Sequence, residues 1–218
     1  MGVRRNVGGV LTELLAHDGV AEHCELDGRI GFLALHGGLE AGTYELAREA
    51  ARRTGASLYA VVQPADLRWH LPSNRYALEQ SEALSDFCAH VEVGVSLHGY
   101  GGLRGTDHRW FTILVGGGSR RHATELGRGL REELHEYTIV DDLARIPRAY
   151  RGVHADNPVN RVRGGGVQLE LPPRVRGQSP IWDDHDFDAE PFVPHSEALL
   201  GALVRFAGVA AGASRRST

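Results

Sequence analysis

The chain contains no lysine: all 24 of its basic residues are arginine. This absence excludes every mechanism that needs a lysine amine, including Schiff-base and pyridoxal-phosphate chemistry and the lysine of a Walker phosphate loop. Histidine is abundant by contrast, with 12 copies, so the chain is well supplied with imidazoles for metal binding or proton transfer. The composition therefore favours imidazole or metal chemistry over amine chemistry.

Cysteine and long apolar segments are also scarce. Cys24 and Cys88 are the only cysteines and form no Cys-x-x-Cys pair, which argues against a disulfide framework and against a thiolate zinc site. The N-terminal segment has no uninterrupted apolar region of signal-peptide length, and no window approaches the ~20 apolar residues that span a bilayer. We therefore expect a soluble, cytoplasmic protein with no membrane partner.

Length and charge restrict the possibilities further. A chain of 218 residues with 42% hydrophobic residues can build one domain with a substantial core, but not two large ones, so residues 1–218 are predicted to form a single domain. The net charge of −4 argues against a protein that mainly binds nucleic acid.

The hydrophobic pattern predicts a three-layer α/β/α fold around a mixed sheet. Short apolar runs alternate with amphipathic helical patterns, and several runs are apolar on both faces, which is typical of strands covered by helices on each side. The predicted strands are Ile30–Leu35, Ser57–Val62, Val91–Leu97, Trp110–Val115, Tyr137–Val140 and Val167–Leu171. The predicted helices are Thr43–Thr54, Ala77–Cys88, a helix capped by Ser119, and a last helix capped by Ser196.

The segment LALHGGLEAGT carries the first candidate site. It puts His36 at the end of a predicted buried strand and Glu40 at the beginning of the next helix. Ligand sites gather at strand ends in open α/β sheets, and an imidazole and a carboxylate can share a zinc ion. In the alternative interpretation, His36 is a hydrogen-bonded histidine beside a glycine turn, and Glu40 only favours the helix N-terminus.

A second segment, VGVSLHGYGG, repeats this arrangement with His98. Two histidines and one carboxylate form a three-ligand set that is typical of hydrolytic zinc sites. An alternative would use Ser96 as a nucleophile, but His98 stands where the Gly-x-Ser-x-Gly motif requires its second glycine. The pattern favours the metal site over the serine.

A third segment, VQLELPP, ends a predicted apolar strand with Glu170. Apolar surroundings raise the pKa of a carboxylic acid, and a carboxylate placed in this way suits a general base. The alternative is a strand-edge glutamate that pairs with a nearby arginine.

Taken in order, the motifs His-Gly-Gly-x-Glu-x-Gly-Thr, Ser-x-His-Gly-Tyr and Val-Gln-Leu-Glu-Leu resemble the poly-γ-glutamate hydrolase family of phages and bacteria. The resemblance extends from about Ile30 to Arg176 and implies a zinc carboxypeptidase-like fold. It also implies that a zinc ion is bound by His36, Glu40 and His98, and that Glu170 is the general base. The spacing between His36 and Glu40 is one residue shorter than is usual in that family, so Glu45 is an alternative ligand.

The resemblance further implies that residues 1–218 form one catalytic domain that hydrolyses γ-glutamyl amide bonds. The substrate would be a glutamyl polymer or a small acidic amide. The alternatives are a zinc amidase that acts on peptidoglycan or N-acyl amino acids, and a non-catalytic binding module that retains the fold.

Four residues are candidates for substrate binding. Asn74 and Arg75 correspond to an Asn-Arg pair that binds a substrate carboxylate in zinc carboxypeptidases and related deacylases, and Tyr100 and Arg163 are further candidates. Arginine suits this role because its planar fork binds a carboxylate through two hydrogen bonds. Seven arginines between Arg145 and Arg176 could attract a polyanion or could pair with the acidic run Asp183–Glu190.

Overall fold

A seven-stranded mixed sheet lies at the centre of the computed structural model, which describes residues 6–7, 9–101, 110–178 and 192–214. The acidic run Asp183–Glu190 lies outside these residues. The strands are β1 (Asn6–Val7), β2 (Ala21–Glu25), β3 (Gly28–Gly37), β4 (Ala56–Val62), β5 (Trp69–His70), β6 (Val93–Gly99), β7 (Thr112–Gly116), β8 (Thr138–Val140) and β9 (Gly166–Leu171). The α-helices are α1 (Leu11–Leu15), α2 (Thr43–Thr54), α3 (Glu82–His90), α4 (Arg120–Glu133) and α5 (Pro194–Ser214).

The strand order of the large sheet is β2-β4-β3-β6-β9-β7-β8, and β1 pairs with β5 in a separate two-stranded sheet. The four strands β4, β3, β6 and β9 are parallel, whereas β2 and β7 run antiparallel to their neighbours β4 and β9. The chain passes from β3 to β4 on one side of β3 and later adds β6 on the other side. Ligands bind outside the carboxyl ends of the strands at such a switch point.

Helices cover both faces of the sheet, which confirms the predicted α/β fold with a mixed sheet. Phe32 and Ala34 of β3 belong to a core cluster with α2, α4 and α5. Leu33 and Leu35 alternate with them along the strand and belong to a second cluster with α1 and α3. Because both faces of the central strands are buried, these strands are apolar runs rather than alternating ones.

Several elements differ from the predictions, and α1, β1 and β5 are among those that were not predicted. The edge strand β2 was not predicted, since its sequence AEHCE has no apolar alternation. The helix predicted at Ala77–Cys88 is a short 3-10 turn, Leu78–Gln80, followed by α3, because the Ser81 hydroxyl accepts a hydrogen bond from the Leu84 amide at 2.9 Å and starts the helix there. Ser196 does not cap α5: the helix begins at Pro194, and the Ser196 hydroxyl donates to the carbonyl of Val175.

Helix α5 also corrects the expectation about apolar segments. Within the part of the chain that the structure describes, Pro194–Ala213 is the one helix long and apolar enough, by length and composition, to cross a membrane. Its residues Leu199, Leu203 and Phe206 are buried in the core cluster that covers the sheet. Less than half of this segment, 44%, is buried inside the protein.

Candidate metal centre

His36 and His98 lie side by side at the carboxyl ends of β3 and β6, the two strands at the switch point. Their Nδ1 atoms are 3.2 Å apart, and both residues are almost completely buried. The pairing of β3 with β6 and of β6 with β9 is parallel, so His36, His98 and Glu170 all reach the same edge of the sheet. The structure therefore brings together the three strand-end residues that the sequence singled out.

A tight turn returns Glu40 to His36 despite the short spacing between them. The Glu40 amide donates to the His36 carbonyl at 2.8 Å, and Glu40 Oε1 lies 2.9 Å from His36 Nδ1. Gly38 sits in this turn with a φ of 76°, and a Cβ there would lie 1.9 Å from the carbonyl oxygen of Gln63. Glycine is required at this position for both reasons.

The second carboxylate oxygen of Glu40 faces the other histidine. Glu40 Oε2 lies 3.6 Å from His98 Nδ1 and accepts a hydrogen bond from the Gly99 amide at 2.8 Å. Glu45, the alternative ligand, lies in the first turn of α2 and is not among the residues that line the cleft described below. The turn geometry therefore favours Glu40 over Glu45 as the carboxylate of this site.

The outer nitrogens of both imidazoles already have hydrogen-bond partners. His36 Nε2 lies 2.8 Å from the carbonyl of Leu71, which can only accept, so this nitrogen carries the proton in the neutral ring. His98 Nε2 lies 2.9 Å from the hydroxyl of the buried Ser96. Such outer contacts orient metal-binding histidines. The inner nitrogens of two imidazoles and a carboxylate thus converge, and this donor set fits a zinc ion.

The charges of this cluster follow from burial and from mutual attraction. Burial raises the pKa of Glu40, but the charges and hydrogen bonds of His36 and His98 together outweigh it and hold that pKa well below its usual range. Burial lowers the pKa of both histidines; at His98 it prevails, whereas at His36 the charge and hydrogen bond of Glu40, with the hydrogen bond to Leu71, together raise the pKa. Glu40 is therefore an ionised carboxylate at neutral pH, as a metal ligand must be.

Glu170 has the opposite electrostatic environment. It lies directly opposite His98 in the β6–β9 pairing and is 5% exposed. Burial, together with the negative charge of Glu40, raises its pKa well above the ordinary range. The Gln168 side chain donates to Glu170 Oε1 at 2.8 Å, and Asn157 donates in turn to Gln168 at 2.7 Å. Two nearby carboxylates whose pKa values are driven apart are typical of an acid/base site.

Arg176 joins the chain segments around this site. Its guanidinium donates to the carbonyls of Ala41, Tyr100 and Leu171. Ala41 follows Glu40, Tyr100 follows β6, and Leu171 is the last residue of β9. The residue is 6% exposed. Three backbone acceptors hold the guanidinium in place, so Arg176 stabilises the loop geometry at the carboxyl edge of the sheet.

A cleft of about 1390 Å³ opens onto these residues. Among the predicted substrate contacts, Asn74 and Tyr100 line it, and the Tyr100 hydroxyl donates to the carbonyl of Thr112. The side chain of Arg75 is exposed and does not line the cleft. Arg163 precedes β9 and pairs with Glu92 at 3.5 Å, at the opposite edge of the sheet. The structure thus brings Asn74 and Tyr100 to the site, but neither of the two predicted arginines.

The cleft is also lined by residues that the sequence did not predict. The His70 ring centroid lies 4.7 Å from that of His36, and ligand atoms of His36, Glu40 and His70 all lie within 4.8 Å of one another. Arg68 and Arg148 also line the cleft. No motif marks these residues, because β5 is only two residues long and both arginines lie outside regular strands and α-helices.

Comparison with known proteins gives matches by sequence. A sequence model of the family described as poly-gamma-glutamate hydrolase matches residues 12–188. The SPbeta prophage-derived UPF0714 protein YoqZ of Bacillus subtilis (strain 168) is 29% identical over 150 residues, which are 67% of this chain and 50% of that protein. The chain therefore spans about half the length of this curated relative.

Two solved structures share the fold. A bacteriophage poly-gamma-glutamate hydrolase matches with a TM-score of 0.64 and 22% identity, covering 88% of this chain and 91% of that one. YndL, solved in a zinc-free form, matches with a TM-score of 0.68 and 21% identity, covering 86% and 89%. These structures support the fold, and the sequence match over most of the chain confirms the resemblance carried by the three motifs. The chain belongs to the poly-gamma-glutamate hydrolase family.

Proposed function

We propose that this chain is a zinc-dependent hydrolase that cleaves γ-glutamyl amide bonds of poly-γ-glutamate or related peptides, acting as a single catalytic domain. The observation that carries the proposal is the convergence of His36 Nδ1, His98 Nδ1 and the Glu40 carboxylate beside Glu170, a buried acid with a raised pKa. Membership of the poly-gamma-glutamate hydrolase family supports the substrate class.

His36, Glu40 and His98 would hold the zinc ion, and His70 is a further candidate close to the same ligand atoms. When bound, zinc supplies Lewis-acid polarisation of the amide carbonyl and lowers the pKa of water. Three protein ligands leave a coordination position open, as in catalytic zinc sites. The hydrogen bonds of His36 to Leu71 and of His98 to Ser96 hold both rings in the orientation that binding requires.

Glu170 would move the proton. Its carboxylate takes a proton from water as the water oxygen attacks the amide carbonyl carbon. The protonated Glu170 then donates that proton to the amide nitrogen as the C–N bond breaks, which yields a carboxylic acid and a free amine. The raised pKa suits the second half of this cycle, because it favours the protonated form that donates to the leaving amine. Gln168 holds one oxygen of Glu170, which keeps the carboxylate in a fixed orientation.

The proposal is tested by incubating the zinc-loaded protein with poly-γ-glutamate, with peptidoglycan and with N-acyl glutamate. We expect release of glutamyl oligomers from the first substrate alone, and loss of this release in a Glu170→Gln variant that still binds zinc. Release of muropeptides or of a free acyl group instead would identify one of the alternative zinc amidases. Zinc binding without hydrolysis of any amide would identify a binding module.

We also propose that the protein acts in a reducing compartment such as the cytoplasm. The thiols of Cys24 and Cys88 are unpaired, and each lies against a backbone carbonyl, that of Ala83 and that of Pro158 respectively. Fractionation of cells of the source organism checks this location. Recovery of the protein mainly outside the cytoplasm would contradict it.

A further inference from the structure

We propose that Arg68 and Arg148 bind substrate carboxylates on opposite sides of the metal centre, and that they determine the preference of the cleft for an anionic chain. This inference rests on the proposed function, since it assigns the residues that recognise the substrate of that same site. It concerns two arginines that no sequence motif marks.

The backbone of Arg68 has an unusual conformation. With a φ of 48°, Arg68 is the one residue other than glycine with positive φ in the described part of the chain. A left-handed conformation is unfavourable for a non-glycine residue, and such strain persists only where the surroundings enforce it. Strained residues of this kind cluster at ligand sites.

Gln63, which follows β4, holds the residue next to Arg68. The Gln63 side chain donates to the Trp69 carbonyl and accepts from the Trp69 amide, both at 2.8 Å. The Gln63 amide donates to the Gly37 carbonyl at 3.0 Å, directly after His36. The residue that follows Arg68 is therefore tied through Gln63 to the strand end that carries the first metal ligand.

The Arg68 guanidinium is available to a ligand. It lines the cleft, and no described residue pairs with it or accepts a hydrogen bond from it. The buried Arg176 differs, since each of its three guanidinium nitrogens donates to a backbone carbonyl. The acidic side chains among the described lining residues are Glu40 and Glu170, and both belong to the metal centre. A substrate carboxylate would therefore meet little competition for Arg68.

Arg148 approaches the cleft from the other side. It begins the 3-10 turn Arg148–Tyr150, and the Tyr150 ring lies 6.2 Å from that of Tyr100, which follows β6. Arg148 also lines the cleft and has no ion pair or side-chain hydrogen bond within the described ranges. Along the chain, Arg68 follows β4 and Arg148 follows β8. In the sheet, β4 and β8 lie on opposite sides of β3, β6 and β9.

This arrangement fits a chain with an acidic group on each side of the bond to be cleaved. In a γ-linked glutamyl chain every residue keeps a free α-carboxylate, so both residues that flank the reacting amide carry a negative charge. The planar fork of arginine binds such a carboxylate through two hydrogen bonds. The cleft volume of about 1390 Å³ exceeds the ~300–1000 Å³ of ordinary small-molecule sites, which agrees with an extended ligand.

The test uses the zinc-loaded protein and γ-glutamyl oligomers of defined length. We compare the wild type with Arg68→Asn and Arg148→Gln; asparagine tolerates the left-handed backbone of position 68, so the loop is preserved. Arg145→Gln is the matched control, since Arg145 is exposed and outside the cleft lining. We expect each cleft variant to raise KM about tenfold or more with little change in kcat, because charge-assisted hydrogen bonds to a ligand are lost.

Oligomers in which one α-carboxylate is replaced by a carboxamide sharpen this test. Amidation on one side of the scissile bond should abolish the effect of one arginine variant and leave the effect of the other. The inference is overturned if both variants have the same KM as Arg145→Gln. It is also overturned if each variant has the same effect on the amidated oligomer as on the unmodified oligomer.

Binding measurements separate this inference from the proposed function. In a Glu170→Gln background, calorimetric titration with the same oligomers reports carboxylate recognition without turnover. If the wild type hydrolyses no oligomer but Arg68→Asn and Arg148→Gln still weaken binding in that background, the proposed function fails and the subsites stand. If the wild type is active and neither variant changes KM or binding, the subsites fail and the proposed function stands.

Discussion

The two regions around Glu170 and Glu49 both contain a buried carboxylate, yet their electrostatics are opposite. Glu49, on α2, accepts hydrogen bonds from Arg52 and Arg53 at 2.6–2.7 Å, and these bonds lower its pKa to about 2. Glu170, in the cleft, accepts one side-chain hydrogen bond within the described part of the chain, from the Gln168 amide, and burial raises its pKa. Glu49 and Glu170 are 7% and 5% exposed, but Glu49 lies near the surface beside the exposed Arg52, whereas Glu170 lies deep in the protein.

This difference shows where the described part of the chain leaves a buried carboxylate without an ion pair. Around Glu49 the arginines satisfy the carboxylate, and Arg53 also pairs with Glu197 of α5, which ties α2 to the last helix. In the cleft the fixed groups leave Glu170 able to take up and release a proton. A carboxylate that is paired stabilises the fold, whereas a strongly perturbed carboxylate in a cleft is a candidate for catalysis. Five predictions test this contrast.

The largest effect is expected from loss of a metal ligand. His98→Ala should abolish hydrolysis and release zinc, because it removes one of three converging donor atoms. Zinc content and rate are measured before and after chelation, and added zinc should restore the wild type but not the variant. Full zinc content and full activity in His98→Ala would remove His98 from the proposed centre.

The next effect is on turnover at constant metal content. Glu170→Gln should lower kcat by about 10²–10⁴-fold while zinc stays bound, because the proton acceptor is lost and the hydrogen bond to Gln168 can be kept. Rates are compared at equal zinc occupancy. A variant that retains the wild-type kcat would exclude Glu170 as the base.

The same substitution has a stability consequence in the metal-free protein. Since the folded-state pKa of Glu170 is raised, the folded protein holds a proton that the unfolded chain loses above pH ~4.5, so wild-type stability falls as pH rises. Glu170→Gln should therefore unfold at higher urea concentration than the wild type at pH 8, and this gain should shrink at pH 4.

A smaller effect is expected at His70. Since His70 is close to His36 and Glu40 but is not one of the three proposed ligands, His70→Ala should weaken zinc binding about 10–100-fold without abolishing it. Competition with a chelator measures both histidine variants side by side. If His70→Ala loses zinc and His98→Ala keeps it, the ion is held by His36, Glu40 and His70 instead.

The smallest effect is expected at Glu49. Glu49→Gln should lower the free energy of unfolding by about 1 kcal/mol at pH 7 and leave hydrolysis unchanged, because Arg52 and much of this network are open to solvent. The folded-state pKa of Glu49 is lowered, so its contribution is present above pH ~4.5 and is lost as pH falls toward 2. Urea unfolding at pH 7 and pH 2.5 checks this sign. Equal destabilisation at both pH values would contradict it.

The parts of the site that could be predicted from sequence are those at the ends of long apolar strands. His36, His98 and Glu170 each follow a buried run that stops at glycine or proline, so local pattern and strand order suffice to bring them to one edge. The edge strand β2 escaped prediction because its residues are polar, and its pairing with β4 is a tertiary contact.

Other residues that line the cleft could not be predicted in the same way. Arg68, His70 and Arg148 reach the cleft through irregular segments whose course depends on contacts such as the Gln63–Trp69 pair. Arg163 belongs to a basic segment of the sequence, but it lies before β9, and the cleft lies beyond the other end of that strand. Arg163 therefore pairs with Glu92 and does not line the cleft. The sequence composition identifies a basic segment, but the fold determines which of its arginines line the cleft.

The central claim is tested most directly by X-ray diffraction at the zinc absorption edge, on crystals of protein purified without chelators. We predict one anomalous peak at about 2.0–2.2 Å from His36 Nδ1, His98 Nδ1 and a Glu40 oxygen, with Glu170 nearby but not coordinated. Zinc bound at another place in the molecule, or a peak that contacts His36 and Glu40 but not His98, would contradict the proposed centre.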